Sequence, residues 1–157
     1  MILSLESLKE QIPIWKINRK TIVFTNGCFD LLHKGHLDLL KSAKGLGDYL
    51  VVGLNSDKSV KGIKGPERPR QDQNSRVNSL IKTSLITAII VFDQETPIDL
   101  IKLIKPDFLV KGADYDVNKI VGADFVISNG GQVKTIDLTP GFSTTKLIKK
   151  IDGEILD

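Results

Sequence analysis

Residues 21–36 read TIVFTNGCFDLLHKGH. An apolar run, Thr21-Ile22-Val23-Phe24, leads into twelve residues, Thr25 to His36, that hold two glycines, the only cysteine and both histidines of the protein. Beyond them Leu37, Leu39, Leu40 and Ala43 follow helical steps, and Gly45 and Gly47 suit a helix end. The order is strand, loop, helix, with the chemistry concentrated in the loop.

The same alternation continues along the chain. The runs 21–25, 49–55, 87–92, 107–111 and 124–128 are continuously apolar, as strands covered on both faces must be, and 132–138 suits a sixth strand at an edge. Helical spacing marks Leu5, Leu8, Ile12 and Trp15, and again Val77, Leu80, Ile81 and Leu85. Thr96-Pro97 predicts a helix start that must stop before Pro106, and Ser143 is a good N-cap for a last helix over 144–151. Parallel neighbours need crossover connections, so these elements predict a doubly wound α/β fold. It has a mainly parallel sheet of five or six strands with helices on both faces. One domain is expected over 1–157, with 1–18 as a helical extension and 20–151 as the core. Ligands bind such sheets beyond the carboxyl ends of the strands, where the strand order reverses. Residues Thr25 to His36 leave the end of the first strand and therefore belong to the site.

Composition sets the outer limits. With 41% hydrophobic and 26% charged residues in a 157-residue chain, wholesale disorder and fibrous repeats are set aside. No apolar run approaches a membrane span and the N-terminus lacks a signal-peptide pattern, so a cytoplasmic protein is expected. A net charge of +3 argues for no nucleic-acid partner. The positive charge is local, with seven basic and three acidic residues from Asp57 to Lys82. Within it KGIKGPERPRQDQ, residues 61–73, reads as a mobile loop.

Neither the dinucleotide glycine pattern nor the P-loop occurs. What remains is H-x-G-H, His33 to His36. At the amino end of a helix, two imidazoles can donate to phosphate oxygens beside unpaired backbone N–H groups, and Gly35 permits close backbone approach. The pattern also suits histidines that only cap the helix. Zinc is disfavoured, because His33, His36, Cys28 and Asp30 have no familiar ligand spacing; no resident metal site is expected.

TNGCFDLLHKGH resembles the first signature of the cytidylyltransferase-like nucleotidyltransferase superfamily, a Rossmann-like fold, and GFSTTKLIKKI, residues 141–151, resembles the second. LGDYLVVGLNSD, KGPERP, ETPIDLIKLIKPDFLVKGADY and NGGQVKTI are similar to the bacterial D-glycero-β-D-manno-heptose 1-phosphate adenylyltransferases, a likeness running from about residue 20 to 151. The resemblance implies transfer of AMP from ATP to the heptose phosphate, giving ADP-heptose for lipopolysaccharide or surface-glycan synthesis. It implies a free-standing version of an activity often fused to a heptose kinase. It also implies Mg²⁺ arriving with ATP, and a homodimer.

By the same resemblance His33 and His36 stabilise the phosphates, and a lysine of the basic segment joins them, with Lys64 preferred to Lys61. Thr25, Asn26, Gly27, Cys28, Phe29 and Gly35 would line the nucleotide cradle, with Arg76 nearby and Ser143, Thr144 and Thr145 over the triphosphate. Lys111, Gly112, Asp114 and Tyr115 would face the sugar phosphate. Asp30 matches a family aspartate and is placed with the substrate, or else anchors the loop backbone. Lys149-Lys150 stands where relatives often carry arginine, which loosens that contact. The alternatives are a cytidylyltransferase acting on glycerol 3-phosphate or another sugar phosphate, and a nucleotide-binding module without turnover.

Overall fold

The computed structural model describes residues 1–113 and 116–137. Five strands, β1 (Ile22–Gly27), β2 (Tyr49–Asn55), β3 (Ala88–Phe92), β4 (Phe108–Gly112) and β5 (Gln132–Ile136), form one sheet in the order β3-β2-β1-β4-β5. Every pairing is parallel. The helices are α1 (Leu5–Ile17), α2 (Lys34–Lys44), α3 (Asp57–Lys64), α4 (Gln73–Lys82), α5 (Ile98–Ile104) and α6 (Ala123–Ser128), with a 3₁₀ turn at Val117–Lys119.

The sheet is covered on both faces, which is why its central strands are apolar throughout. On one face Leu8, Ile12 and Trp15 of α1 pack with Leu100, Ile101 and Ile104 of α5 and with Ala123 and Val126 of α6. On the other, Leu40 and Ala43 of α2 pack with Val77 and Leu80 of α4. The first helix is therefore part of the core rather than an appendage, although Leu5, expected on its buried face, is 46% exposed. Ahead of it the chain runs along the edge of β3, where the Ile89 N–H donates to the Met1 carbonyl and the Leu3 N–H to the Ile89 carbonyl. That pairing covers an otherwise open sheet edge.

Three expectations need correction. Residues 124–128 are helix, not strand: Ala123 and Val126 are buried three residues apart while Ile127 is exposed. A run of five apolar residues looks the same in either state until its burial is known. The described sheet thus has five strands, and the expected sixth, at 132–138, is β5 at the edge. The basic segment is not all loop, since Ser56 caps α3 by accepting from the Ser59 N–H and the helix runs through Lys64. Val60, fully buried, holds it to the sheet. Finally, α5 starts at Ile98 with Pro97 in the cap position and no side-chain capping bond, so Thr96 does not cap it. The expected helix over 144–151 lies outside the described residues.

Candidate active site

The strand order reverses at β1 and β4, and these two strands part early. Their register holds only Val23 opposite Phe108 and Phe24 opposite Leu109. Beyond that point side chains take over. The Thr25 hydroxyl donates to the Val110 carbonyl at 2.8 Å, and the Lys111 ammonium donates to the Asn26 carbonyl at 3.0 Å. Above this seam opens a cleft of about 280 Å³, walled by Asn26 and Cys28 from the end of β1, Lys64 from α3, Glu95 from the β3–α5 connection, Lys111 from β4 and Lys119 from the 3₁₀ turn.

Beside the cleft α2 begins, and His33 is its N-cap. The His33 Nδ1 accepts from the His36 N–H at 3.4 Å and the His36 Nδ1 accepts from the His33 N–H at 3.3 Å, a reciprocal capping box made of two imidazoles. Their rings stack with centroids 3.7 Å apart. Because Nδ1 is the acceptor in both, each neutral ring carries its proton on Nε2. The two readings of H-x-G-H are thus compatible, since capping uses Nδ1 and leaves a second nitrogen as donor. Burial, then the charges of His33 and Lys64, push the His36 pKa down to about 3, and burial lowers that of His33. Both rings are neutral donors near pH 7.

Non-glycine residues hold the loop between β1 and α2 in left-handed conformations, Phe29 at φ 47° and Leu31 at φ 56°. Such backbone costs of order 1 kcal/mol per residue and persists only where neighbours enforce it. Asp30, between them and 1% exposed, supplies the enforcement. Its Oδ2 accepts from Arg68 Nε at 3.0 Å and from the Arg70 N–H at 2.8 Å, and its Oδ1 accepts from the Gln71 N–H at 3.0 Å. These bonds outweigh desolvation, the largest effect acting on Asp30, and hold its pKa below the usual carboxylate range. The Gln71 side chain completes the junction by accepting from the Leu31 N–H.

Arg76 of α4 is 0% exposed. Its Nε donates to the Gln71 carbonyl, one terminal nitrogen donates to the carbonyls of Cys28 and Asn55, and the other pairs with Asp57 at 2.8 Å. A single guanidinium thereby ties the ends of β1 and β2, the start of α3 and the basic loop into one unit.

The profile of the Cytidylyltransferase-like family matches residues 24–150. The chain belongs to that family. The bifunctional protein HldE of Syntrophotalea carbinolica is 49% identical over 146 residues, covering 93% of this chain and 30% of that protein. The HldE of Campylobacter fetus is 54% identical over 134 residues, 85% of this chain and 28% of the relative. The chain therefore spans under a third of the length of these curated relatives. A lipopolysaccharide core biosynthesis protein from Thermoplasma volcanium matches with a TM-score of 0.60 at 29% identity, over 76% of this chain and 97% of that one. A pantoate-β-alanine ligase from Francisella tularensis, with a TM-score of 0.64 at 16% identity over 99% of this chain and 78% of that one, shares the fold.

This cytidylyltransferase-like chain is a nucleotidyltransferase, and its structure sorts the expected residues. Asn26, Gly27, Cys28, Lys64 and Lys111 line the cleft, while His33, Gly35 and His36 stand at the amino end of α2. Lys64 faces both ways, lining the cleft and acting on His36, whereas Lys61 does not line it. Gly112 ends β4. Four of the expected side chains are buried in the protein's own packing. The Thr25 side chain donates to Val110, Arg76 donates to three carbonyls and Asp57, and Asp30 accepts from the loop of Arg68 to Gln71. Phe29 is 5% exposed and sits edge-on to the His36 ring at 5.3 Å, supporting it from below. Asp114, Tyr115, Ser143, Thr144, Thr145, Lys149 and Lys150 lie outside the described residues. Arg68, Glu95 and Lys119 were missed, although Arg68 stands in KGPERP and Glu95 opens ETPIDL. No helix among the described residues is long and apolar enough to cross a membrane.

Proposed function

We propose that the chain transfers AMP from ATP to D-glycero-β-D-manno-heptose 1-phosphate, forming ADP-heptose and pyrophosphate. The observation that carries nucleotidyl transfer is the imidazole capping box, two neutral Nε2 donors at a helix amino end beside the ammonium of Lys64. An oxygen of the sugar phosphate attacks the α-phosphorus, the bond from that phosphorus to the bridging oxygen breaks, and pyrophosphate leaves with the electron pair. The attacking oxygen is already ionised near neutral pH, so no general base is needed. The protein positions the reactants and stabilises charge, with His33, His36 and Lys64 donating to phosphate oxygens and Asn26, Gly27, Cys28 and Gly35 offering a close-fitting wall.

Among the described residues no cluster of three or more carboxylate, imidazole or thiol ligands could hold a metal. Mg²⁺ would arrive with the triphosphate, bound through phosphates and water with few protein ligands. When bound it would neutralise charge on the triphosphate. Heptose as acceptor rests on the resemblance across residues 20–151 and on the HldE relatives, a homodimer on the resemblance alone, and a cytoplasmic location on the sequence pattern.

The test is pyrophosphate release with ATP and with CTP, each against the heptose 1-phosphate and glycerol 3-phosphate. Release only with ATP and the heptose phosphate supports the proposal. Release with CTP keeps the fold and the phosphate site and replaces the substrates.

A further inference from the structure

Helix α3 carries Lys64 at its last position, and the fold gives it few holds. Of its eight residues only Ser59 and Val60 are buried. Val60 contributes apolar contact, which has no direction. The start of the helix is fixed, because Asp57 pairs with Arg76 and the Ser56 N–H donates to the Phe92 carbonyl. Eight helical residues span about 12 Å, so a tilt about that first turn displaces Lys64 most.

The Ser59 hydroxyl supplies the missing direction. Its Oγ accepts from the Asn55 amide at 3.0 Å and donates to the Gln94 carbonyl at 2.7 Å, so one buried atom joins the end of β2, α3 and the β3–α5 connection. Neither bond serves the helix itself, whose Ser59 N–H already donates to the Ser56 Oγ at 3.1 Å. Alanine is the better helix former, so propensity alone does not account for a serine here. A hydroxyl accepts and donates through one atom, which an apolar side chain of that size cannot do. The connection then continues along the helix, with Glu95 Oε1 3.7 Å from where a Cβ on Gly62 would be. Asn55, Glu95 and Lys64 all wall the cleft, and they come from the three elements that meet at Ser59. Ser59 lies behind that wall.

We propose that Ser59 is a positioning residue for nucleotidyl transfer, whose hydroxyl holds α3 against the β3–α5 connection and thereby sets Lys64 beside the phosphates. The role rests on the nucleotidyl-transfer reading and adds to it a buried residue that acts through Lys64 without touching substrate.

A double-mutant cycle over wild type, Ser59→Ala, Lys64→Ala and the double variant tests this. Three quantities are measured in each: Kd for ATP with Mg²⁺ and no acceptor, kcat/KM for pyrophosphate release with ATP and the heptose 1-phosphate, and the melting temperature. Ser59→Ala alone should weaken ATP about fivefold and lower kcat/KM about tenfold, the effect of a misplaced cation. In the Lys64→Ala background the same change should alter Kd and kcat/KM less than about twofold, since the group it positions is gone. The melting temperature should fall equally in both backgrounds, because the bonds to Asn55 and Gln94 are lost in each. A Ser59 that only stabilises the fold would weaken binding and turnover by the same factor in both backgrounds, which overturns the proposal. Unchanged binding and turnover in folded Ser59→Ala overturns it too. Where Ser59→Ala does not fold, Ser59→Cys, with a weaker donor of similar size, replaces it in the cycle. No pyrophosphate release by the wild type overturns the nucleotidyl-transfer reading and this role with it, whereas independent losses in an active wild type overturn the role of Ser59 alone.

Discussion

Arg76 and His36 show how much a single side chain carries in this site. Every nitrogen of the Arg76 guanidinium bonds to the protein. Arg76→Met strands the carbonyls of Cys28, Asn55 and Gln71 and should destabilise the fold by about 3 kcal/mol or more, read as a lower urea midpoint. Arg76→Lys should recover little, because an ammonium lacks the planar fork that reaches four acceptors. Full stability in either variant would refute the tie. His36 offers a pH experiment. Its folded pKa, about 3, lies below the ordinary 6.5, so between those values the unfolded chain binds more protons. Stability is then complete above pH 6.5 and falls as the pH drops toward 3. His33 shifts in the same direction, while Asp30, lowered from 3.8, acts only in more acidic solution. Between pH 7 and pH 5 the protein should lose about 1–2 kcal/mol, allowing for the partial exposure of the ring, and His36→Gln should lose less. Equal losses in both would assign the slope to other groups.

At the scale of elements, α3 and the loop after it decide where Lys64 stands. The helix ends at Gly65, with φ 100° and ψ 171°, a backbone region that only glycine occupies readily. A Cβ there would meet nothing within 4 Å. Gly65→Ala should therefore cost about 1–3 kcal/mol by conformation alone, without steric clash. Because Lys64 immediately precedes the turn, kcat for pyrophosphate release should fall as well. Wild-type melting temperature and kcat together would show that the turn tolerates a side chain. The sequence exposed these elements unevenly. Strands β1 to β4 were legible because their apolar runs are unbroken, and α2 because its leucines follow a helical period. Helix α6 was not, since DFVIS is too short for its period to show. Helix α3 was hidden because Gly62 and Gly65 gave its end the look of a loop, and only Ser56, read as a cap, would have revealed it.

At the scale of the whole molecule, the strand reversal at β1 and β4 makes the site, and the sequence predicted the location better than the division of labour within it. H-x-G-H opens α2 after the loop that leaves β1, so the place of that helix start followed from the motif. Whether a motif residue points toward a ligand or into the protein depends on strand pairing that no local pattern contains. Thr25 is the clearest case. It was expected on the nucleotide, yet it is 0% exposed and closes the gap where β1 and β4 part. Thr25→Val keeps the shape and removes the donor, leaving the Val110 carbonyl buried and unpaired, and should cost about 1–2 kcal/mol. Thr25→Ser keeps the donor and should lose less, by the transfer energy of one methyl group. If Thr25 instead bound nucleotide through its hydroxyl, Thr25→Val would raise the KM for ATP with little loss of stability. The seam predicts the reverse, a lower urea midpoint with the KM for ATP nearly unchanged. The two substitutions therefore decide whether the first residue of the motif contacts the substrate or holds the two halves of the sheet together beneath it.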